Sequence, residues 1–420
     1  MITVFILIKD AALTPTPAST RREAAALFVF NMLCLTAMMA FVPVIGPVVR
    51  GLGLAEWQGG LVVTVAGLLW MLMARYWGRR SDRVGRRTTL LRAAAGYIVS
   101  YLLLAWALDR MLAEPPAQWV ALAALLALRG LIGAFYAAMP AVSAARIADI
   151  TAPEQRGAMM AKLGAANGVG MVLGPAIGGL LVKDSLIVPL YLAAVLPVLG
   201  TAWLMLRLPS DASHAPRGTP PLKLSDRRLR LPLAAMLLAM SGVITAQMIV
   251  GFYAMDALHL EAGPAARVAG IAMATVGIVL ILVQLALARA RKMNAARCLT
   301  SGAVLASSGF FLIAVLPGTA GFLLSYALMA AGMGLVFPSI QTLAANAVTP
   351  EEQGIAAGSV TAIQGMAMVV VPLACTLLYG LRPWVPYAVA AGLLLLLAAA
   401  AAVQVRRTAA AQAGVIPRQG

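Results

Sequence analysis

The side chains able to do chemistry in this sequence are few and widely spaced. Arg129 stands within ALRGLIGAFYAA, with about ten apolar residues on either side, where an unpaired guanidinium out of reach of water costs several kcal/mol. All 15 Asp and Glu lie in loops or at the ends of apolar runs. Asp256, which follows Gln247 and Tyr253 at the end of one such run, comes nearest to an interior acid. The three cysteines, Cys34, Cys298 and Cys375, are an odd number without metal-ligand spacing and read as inert packing. His214 and His259 stand in loops with no partner pattern. No nucleophile and base, metal-binding cluster or phosphate-binding glycine loop occurs at usable spacing. An enzyme is therefore the least favoured class, and neither a metal nor a cofactor is expected.

Apolar stretches dominate the elements that carry these residues. The chain is 420 residues, 62% hydrophobic and 11% charged, whereas soluble domains run about 45–50% apolar and about 25% charged. Uncharged runs long enough to cross ~30 Å of hydrocarbon as helices recur twelve times. They are 24–46, 57–77, 88–108, 117–145, 157–182, 186–206, 232–255, 266–288, 298–317, 320–345, 354–379 and 384–405. An even number of crossings puts both termini on one side. Of the 32 Lys and Arg, all fall on that side except Arg129 and the five at Arg50, Arg110, Lys183, Arg267 and Arg382. By the positive-inside rule the crowded face is cytoplasmic, so the net charge of +17 is mainly a topology signal. Nucleic acid would need a basic soluble module, and the longest loop, 207–231, is too short to be one. The apolar Ile2–Ile8 run lacks the basic region and cleavage site of a signal peptide and reads as a disordered lead-in.

Sliding the chain by 197 residues aligns Pro153, Glu154, Gly157, Gly168, Met171 and Pro175 with Pro350, Glu351, Gly354, Gly365, Met368 and Pro372. A shared Pro-Glu-x-x-Gly loop followed by Gly and Pro at matching depth is more than chance likeness of apolar helices. The expected fold is an all-α integral membrane protein of twelve transmembrane helices in two pseudo-symmetric six-helix bundles. Its parts are a cytoplasmic segment 1–23, bundles 24–207 and 232–405, a cytoplasmic linker 208–231 and a cytoplasmic tail 406–420.

Three motifs then make the arrangement similar to the major facilitator superfamily, in its twelve-helix drug:proton antiporter branch. In GRRSDRVGRRTTL, residues Gly78, Asp82, Arg83, Gly85, Arg86 and Arg87 match the family's gating signature, with Arg80 where Leu is usual. The loop's glycines suit a tight connection or positive φ, and Asp82 can pair with arginines or a helix N-terminus in one conformational state only. Arg129 and Gly133 resemble the fourth-helix arginine pattern, with Ile132 in place of the usual Gln. That resemblance implies a part in proton coupling; a purely structural tie between helices is the other reading. GAANGVGMVLGPAIGGLL, with Gly164, Gly168, Gly174, Pro175, Gly178 and Gly179, looks like the antiporter motif thought to seal one half against the other. Those glycines share one side of a helix, which lets a neighbour pack closely, while Pro175 removes a backbone donor and favours a bend. Weaker likeness extends to Asp149, Arg156 and the basic loop Arg289, Arg291, Lys292 and Arg297.

The resemblance makes the first, fourth, seventh and tenth helices the lining of a central path. Asn31, Tyr136, Gln247, Tyr253 and Gln341 are then the cavity candidates, joined by Asn167 and Gln364 from the fifth and eleventh. Methionines 32, 38, 39, 240, 248, 255, 329 and 333 suit a pliable apolar cavity. Proton coupling falls to Arg129 and Asp256, although many relatives carry a buried acid that this chain lacks. With Arg129 the cavity's fixed charge, an anionic or neutral substrate such as a siderophore or metabolite fits better than a cationic drug. The expected function is a proton-coupled, monomeric exporter of small molecules in a bacterial inner membrane. An importer of an organic anion or sugar, and a non-transporting receptor or scaffold, are the alternatives.

Overall fold

The computed structural model describes residues 18–183, 185–209, 226–289, 294–349 and 352–413. The apolar Ile2–Ile8 run, most of the connecting stretch, the basic loop residues Arg291 and Lys292, and Pro350 and Glu351 of the repeat lie outside them. Twelve helices, from Thr20–Gly51 to Val385–Val403, are long and apolar enough to cross a membrane. No strand occurs among the described residues. Helices satisfy every backbone group within one segment, which hydrocarbon demands. Large apolar side chains such as Trp119, Leu206 and Leu381 remain exposed around the perimeter, a surface suited to lipid rather than water.

Proline decides two departures from straight spans. The first is Ala18–Met39, a 3-10 turn Val42–Val44 and Ile45–Gly51, rather than one helix over 24–46. Pro43 has no N–H for the carbonyl of Met39, where the first piece stops. The fourth divides into Gln118–Tyr136 and Ala138–Ile150, because Pro140 cannot donate to the carbonyl of Tyr136. By contrast, the fifth span runs as one helix, Pro153–Leu180, through Pro175. The expected loop from Gly78 is also mostly helical: the second span continues to Val84, and only Gly85, at φ 102°, breaks it. Near Pro317, the ninth helix ends at Leu312 and the tenth begins at Gly318, with φ 76°.

Helix pairing repeats from one half to the other. The first span packs on the fifth and sixth, as the seventh packs on the eleventh and twelfth. The second packs on the fourth as the eighth packs on the tenth. Tyrosines brace two further pairs: Tyr97 and Tyr101 of the third span donate to the carbonyls of Cys34 and Ala37 of the first at 2.9 and 2.7 Å, and Tyr326 of the tenth donates to Ala246 O of the seventh at 2.9 Å. The halves meet where the second span touches the eleventh and the fifth touches the eighth. Those contacts lie at the ends remote from the termini: Thr64 Oγ1 donates to Val369 O at 2.9 Å, and Gly179 abuts Ala266 and Gly270. Toward the basic face, an added Cβ at Gly164, Gly168, Gly358 or Gly365 would meet nothing within 4 Å. The molecule is thus shut at the far face and open toward the face that carries the termini.

Candidate functional site

Breaks and glycines in the helices shape a central cavity beneath the closed end. The interruption after Met39 carries Phe41 and Val42 into its wall beside Met38 and Met39. The second span adds Val63, Gly67 and Trp70, the seventh Ile244, Gln247 and Met248, and the eleventh Met368 and Pro372. Arg129 comes from the fourth span, ~17 Å from its far-face end at ~1.5 Å per residue counted from Gln118. Gly133 lets that helix approach the second, since a Cβ there would strike the backbone of Ala66. Trp77 Nε1 holds the pair together by donating to Ala134 O at 2.7 Å.

Arg129 is 4% exposed, and its Nε and Nη1 are buried with no hydrogen-bond partner. Its Cζ lies 4.7 Å from the centroid of the Phe41 ring. A cation on an aromatic face gains about 0.5–2 kcal/mol, while each buried donor left unpaired on a charged group costs about 1–3 kcal/mol or more. The ring therefore compensates only part of the deficit. Guanidinium offers five donors and no acceptor. Among the described residues the walls contain no Asp or Glu, and Gln247 is their other strongly polar member.

Most of the sequence-derived cavity candidates lie elsewhere. Asn31 is fully buried and donates to Leu27 O at 2.8 Å and Ser143 Oγ at 2.7 Å, bracing the first span on the fourth. Tyr136 stands one layer behind the wall, edge-on to Trp70 at 5.1 Å and beside Tyr97 at 5.8 Å. Tyr253 donates to Ile313 O at 2.8 Å and stacks on Phe322 within the second half. Asn167 keeps a buried Oδ1 without a partner, Gln364 is half-buried and Gln341 exposed, and none of the three lines the cavity. Of the eight methionines, Met38, Met39 and Met248 line it. Sequence reasoning missed Trp70 and the other contributions of the second and eleventh spans, because it took the lining helices from the resemblance and looked along them for polar residues, while these spans present apolar ones.

The glycine stripe also divides. Gly174 and Gly178 abut the first span at Thr36, Met39 and Ala40, and Gly179 abuts the eighth. Gly164 and Gly168 abut nothing, so close packing does not account for them. Gly170 belongs with the packed set, since a Cβ there would lie 2.8 Å from Met32 O.

At the far face the halves are tied by charge. Arg50 pairs through Nη1 with Asp256 Oδ1, and its Nη2 donates to Asp256 Oδ2 at 2.7 Å and Glu56 Oε1 at 2.8 Å. Tyr379 donates to Asp256 Oδ2 at 2.6 Å. This cluster draws on the first, second, seventh and eleventh spans; Asp256 sits in that outer seam and not in the cavity. The sequence cues were Asp256 as the acid nearest the interior and Arg50 as one of the few basic residues on that side; Glu56 and Tyr379 gave none.

At the basic face Asp82 pairs with Arg86 at 2.5 Å, and Arg86 also reaches Asp149 at 3.0 Å and Ser81. Arg87 donates to Met205 O at 3.0 Å, Arg83 is exposed, and a Cβ on Gly78 would meet nothing within 4 Å. In the second half Arg228 bridges Asp226 at 2.8 Å and Glu352 at 2.9 Å. Its hydrogen bonds hold both carboxyls below the ordinary carboxylate range.

Comparison with known proteins agrees with this architecture. A profile described as Major Facilitator Superfamily matches residues 27–372 and, in a second alignment, 235–420. The class C tetracycline resistance protein of Escherichia coli is 28% identical over 335 residues, spanning 76% of this chain and 79% of that protein. The class G protein of Vibrio anguillarum is 28% identical over 356 residues, 80% of this chain and 85% of that one. The crystal structure of the human organic anion transporter MFSD10 (TETRAN) superposes with a TM-score of 0.64 at 20% identity, covering 91% of this chain and 99% of that chain.

Proposed function

The chain belongs to the Major Facilitator Superfamily of membrane transporters, and from that premise we propose that it exports small molecules against protons by alternating access. The observation that carries this reading is the asymmetry around the cavity: sealed by packing and an ion-pair cluster at the far face, open at the other. With the basic face cytoplasmic, as the arginine and lysine distribution favours, this is a state that loads substrate from the cytoplasm. The membrane is then a bacterial inner membrane, with both termini cytoplasmic and a single chain forming the path. Tetracycline resistance relatives over about four-fifths of the chain support export of drugs; siderophores and other anionic metabolites are candidates because Arg129 is the cavity's fixed charge.

In the proposed cycle the bundles 24–207 and 232–405 rock about the path. Opening the far face requires Arg50 to leave Asp256, and a proton on Asp256 removes the charge that holds it there. Asp256 is in this way a coupling residue at the gate. Arg129, the fixed charge lining the cavity, sets the electrostatic cost of a proton beside it and is the second coupling residue. The signature Gly78, Asp82, Arg83, Gly85, Arg86 and Arg87 serves the opposite gate, its charges held within the first half while that side stands open.

Transport into everted membrane vesicles tests the proposal, with tetracycline, a neutral drug and an anionic siderophore as probes. Uncoupler-sensitive uptake of at least one probe is expected. Uptake indifferent to the uncoupler would overturn proton antiport, and accumulation by right-side-out vesicles instead would overturn export.

A further inference from the structure

We propose that the cavity selects an amphiphilic anion, an apolar and partly aromatic body bearing one carboxylate, sulfonate or similar group that pairs with Arg129. The inference rests on the transporter reading in taking this cavity as the substrate path. Arg129 is nine-tenths buried or more, and two of its nitrogens, Nε and Nη1, which carry three of its five N–H donors, find no acceptor in the protein. A guanidinium in that position is a binding group with unused capacity, and an oxyanion is the acceptor that answers both its charge and its donors. No Asp or Glu lines the walls to neutralise it or to attract a cation.

The remaining surface describes the rest of the ligand. Met38, Met39, Met248 and Met368 give a deformable apolar lining, and Trp70 adds an aromatic side chain. The enclosed space among these residues is about 70 Å³, below the ~300–1,000 Å³ usual for small-molecule sites, so it fits the anionic group and the ligand's body extends toward the open face. Gln247 adds one amide from the opposite half, so a ligand pairing with Arg129 and touching Gln247 spans both bundles. A cation brought into these walls meets repulsion with no compensating carboxylate, so the site discriminates by charge as well as by shape.

Binding to the purified full chain in nanodiscs, with no proton gradient, separates this inference from the export reading. Two probes share one ring system: anilinonaphthalene sulfonate carries the anion, and phenylnaphthylamine lacks it. Each is followed by energy transfer from the protein's tryptophans, Trp70 among them, over protein-free nanodiscs. Saturable binding of the sulfonate is expected, with R129Q weakening it roughly thirtyfold or more, as loss of one partner of a buried charge pair does. The neutral probe should shift by less than about threefold in R129Q, which also reports that the variant is folded, and R129K should restore part of the sulfonate affinity. Equal weakening of both probes, sulfonate binding indifferent to R129Q, or tighter binding of the cationic dye ethidium than of the sulfonate would each overturn the proposal. Uncoupler-insensitive vesicle transport with charge-selective binding would instead overturn antiport and leave this inference standing.

Discussion

Two seams join the halves, and they bring helices equally close with different residues. Between the fifth and eighth spans glycine faces glycine: a Cβ on Gly179 would strike the backbone of Gly270 and Ala266, and one on Gly270 would strike Gly179 in return. Between the second and eleventh spans the small residues stand on one side only. Gly60 and Gly67 face Thr376, Pro372 and Met368, and Thr64 adds a hydrogen bond to Val369 O. Thr376 is the repeat counterpart of Gly179, 197 residues on. What the repeat preserves is therefore the approach of two backbones, and either helix can supply the missing side chain.

Charge divides less evenly. The first half holds Arg129, the cluster of Asp82, Arg86 and Asp149, and the pair of Arg146 with Glu23 at 2.9 Å. Both halves pack rings, Tyr97, Tyr101 and Tyr136 in the first and Tyr253, Phe322, Tyr326 and Tyr387 in the second, but among the described residues the buried charges, Arg129 and Arg146, both lie in the first half. Packing asks only for apolar volume and can be duplicated with the helices. A buried charge is tolerated only where a partner, a wet path or a ligand meets it, so copying the helix does not copy the charge.

The comparison of seams breaks most visibly at Gly179. Gly179→Leu should cost about 1–3 kcal/mol of overpacking in the far-face-closed state and lower vesicle transport roughly tenfold or more, with membrane insertion unchanged. Gly60→Leu should do the same at the other seam; a mild effect there would mean that the one-sided seam yields where the glycine pair cannot. Next in size is Asp256→Asn, which removes the charge between the seams. The pair is about a third exposed, so after screening its loss is worth about 1 kcal/mol and shifts the open-to-closed population roughly fivefold. Spin-label distances across the far face should lengthen. Because protonation discharges the carboxylate, closure is lost as far-face pH falls, and Asp256→Asn should abolish that pH response; a variant that still responds would place the proton elsewhere. Smallest is Gly168→Ala: with open space at that position, thermal stability should stay level or rise by about 0.5–1 kcal/mol from helix propensity. A clear loss would show that Gly168 packs closely in another state.

Arg129 and the packed glycines Gly174, Gly178 and Gly179 were legible in the sequence, because an arginine in an apolar run and a one-sided glycine stripe are local patterns. Gly164 and Gly168 obeyed the same pattern and yet face open space, since a stripe says which side of a helix is small and not how far along it a neighbour extends. Asn31, Tyr136 and Tyr253 were polar at membrane depth and turned out to brace helices. A hydroxyl or amide in hydrocarbon needs a partner whether or not a ligand ever comes. Nothing in the sequence marked Trp70 or Met368 as cavity residues, since both are apolar residues in apolar helices.

By itself the sequence determined the number of crossings, the repeat of 197 residues and the face that gathers the positive charge. Each of these follows from hydropathy and charge counted along the chain, because water and hydrocarbon act on every segment separately. Only the tertiary structure decided which end is shut, that Arg50 finds Asp256 across 206 residues, and that Arg129, with two unpartnered nitrogens, lines a cavity whose described walls hold no carboxylate. Those depend on how each helix is turned about its axis and on which neighbour it meets, and that is set by packing among all twelve helices at once.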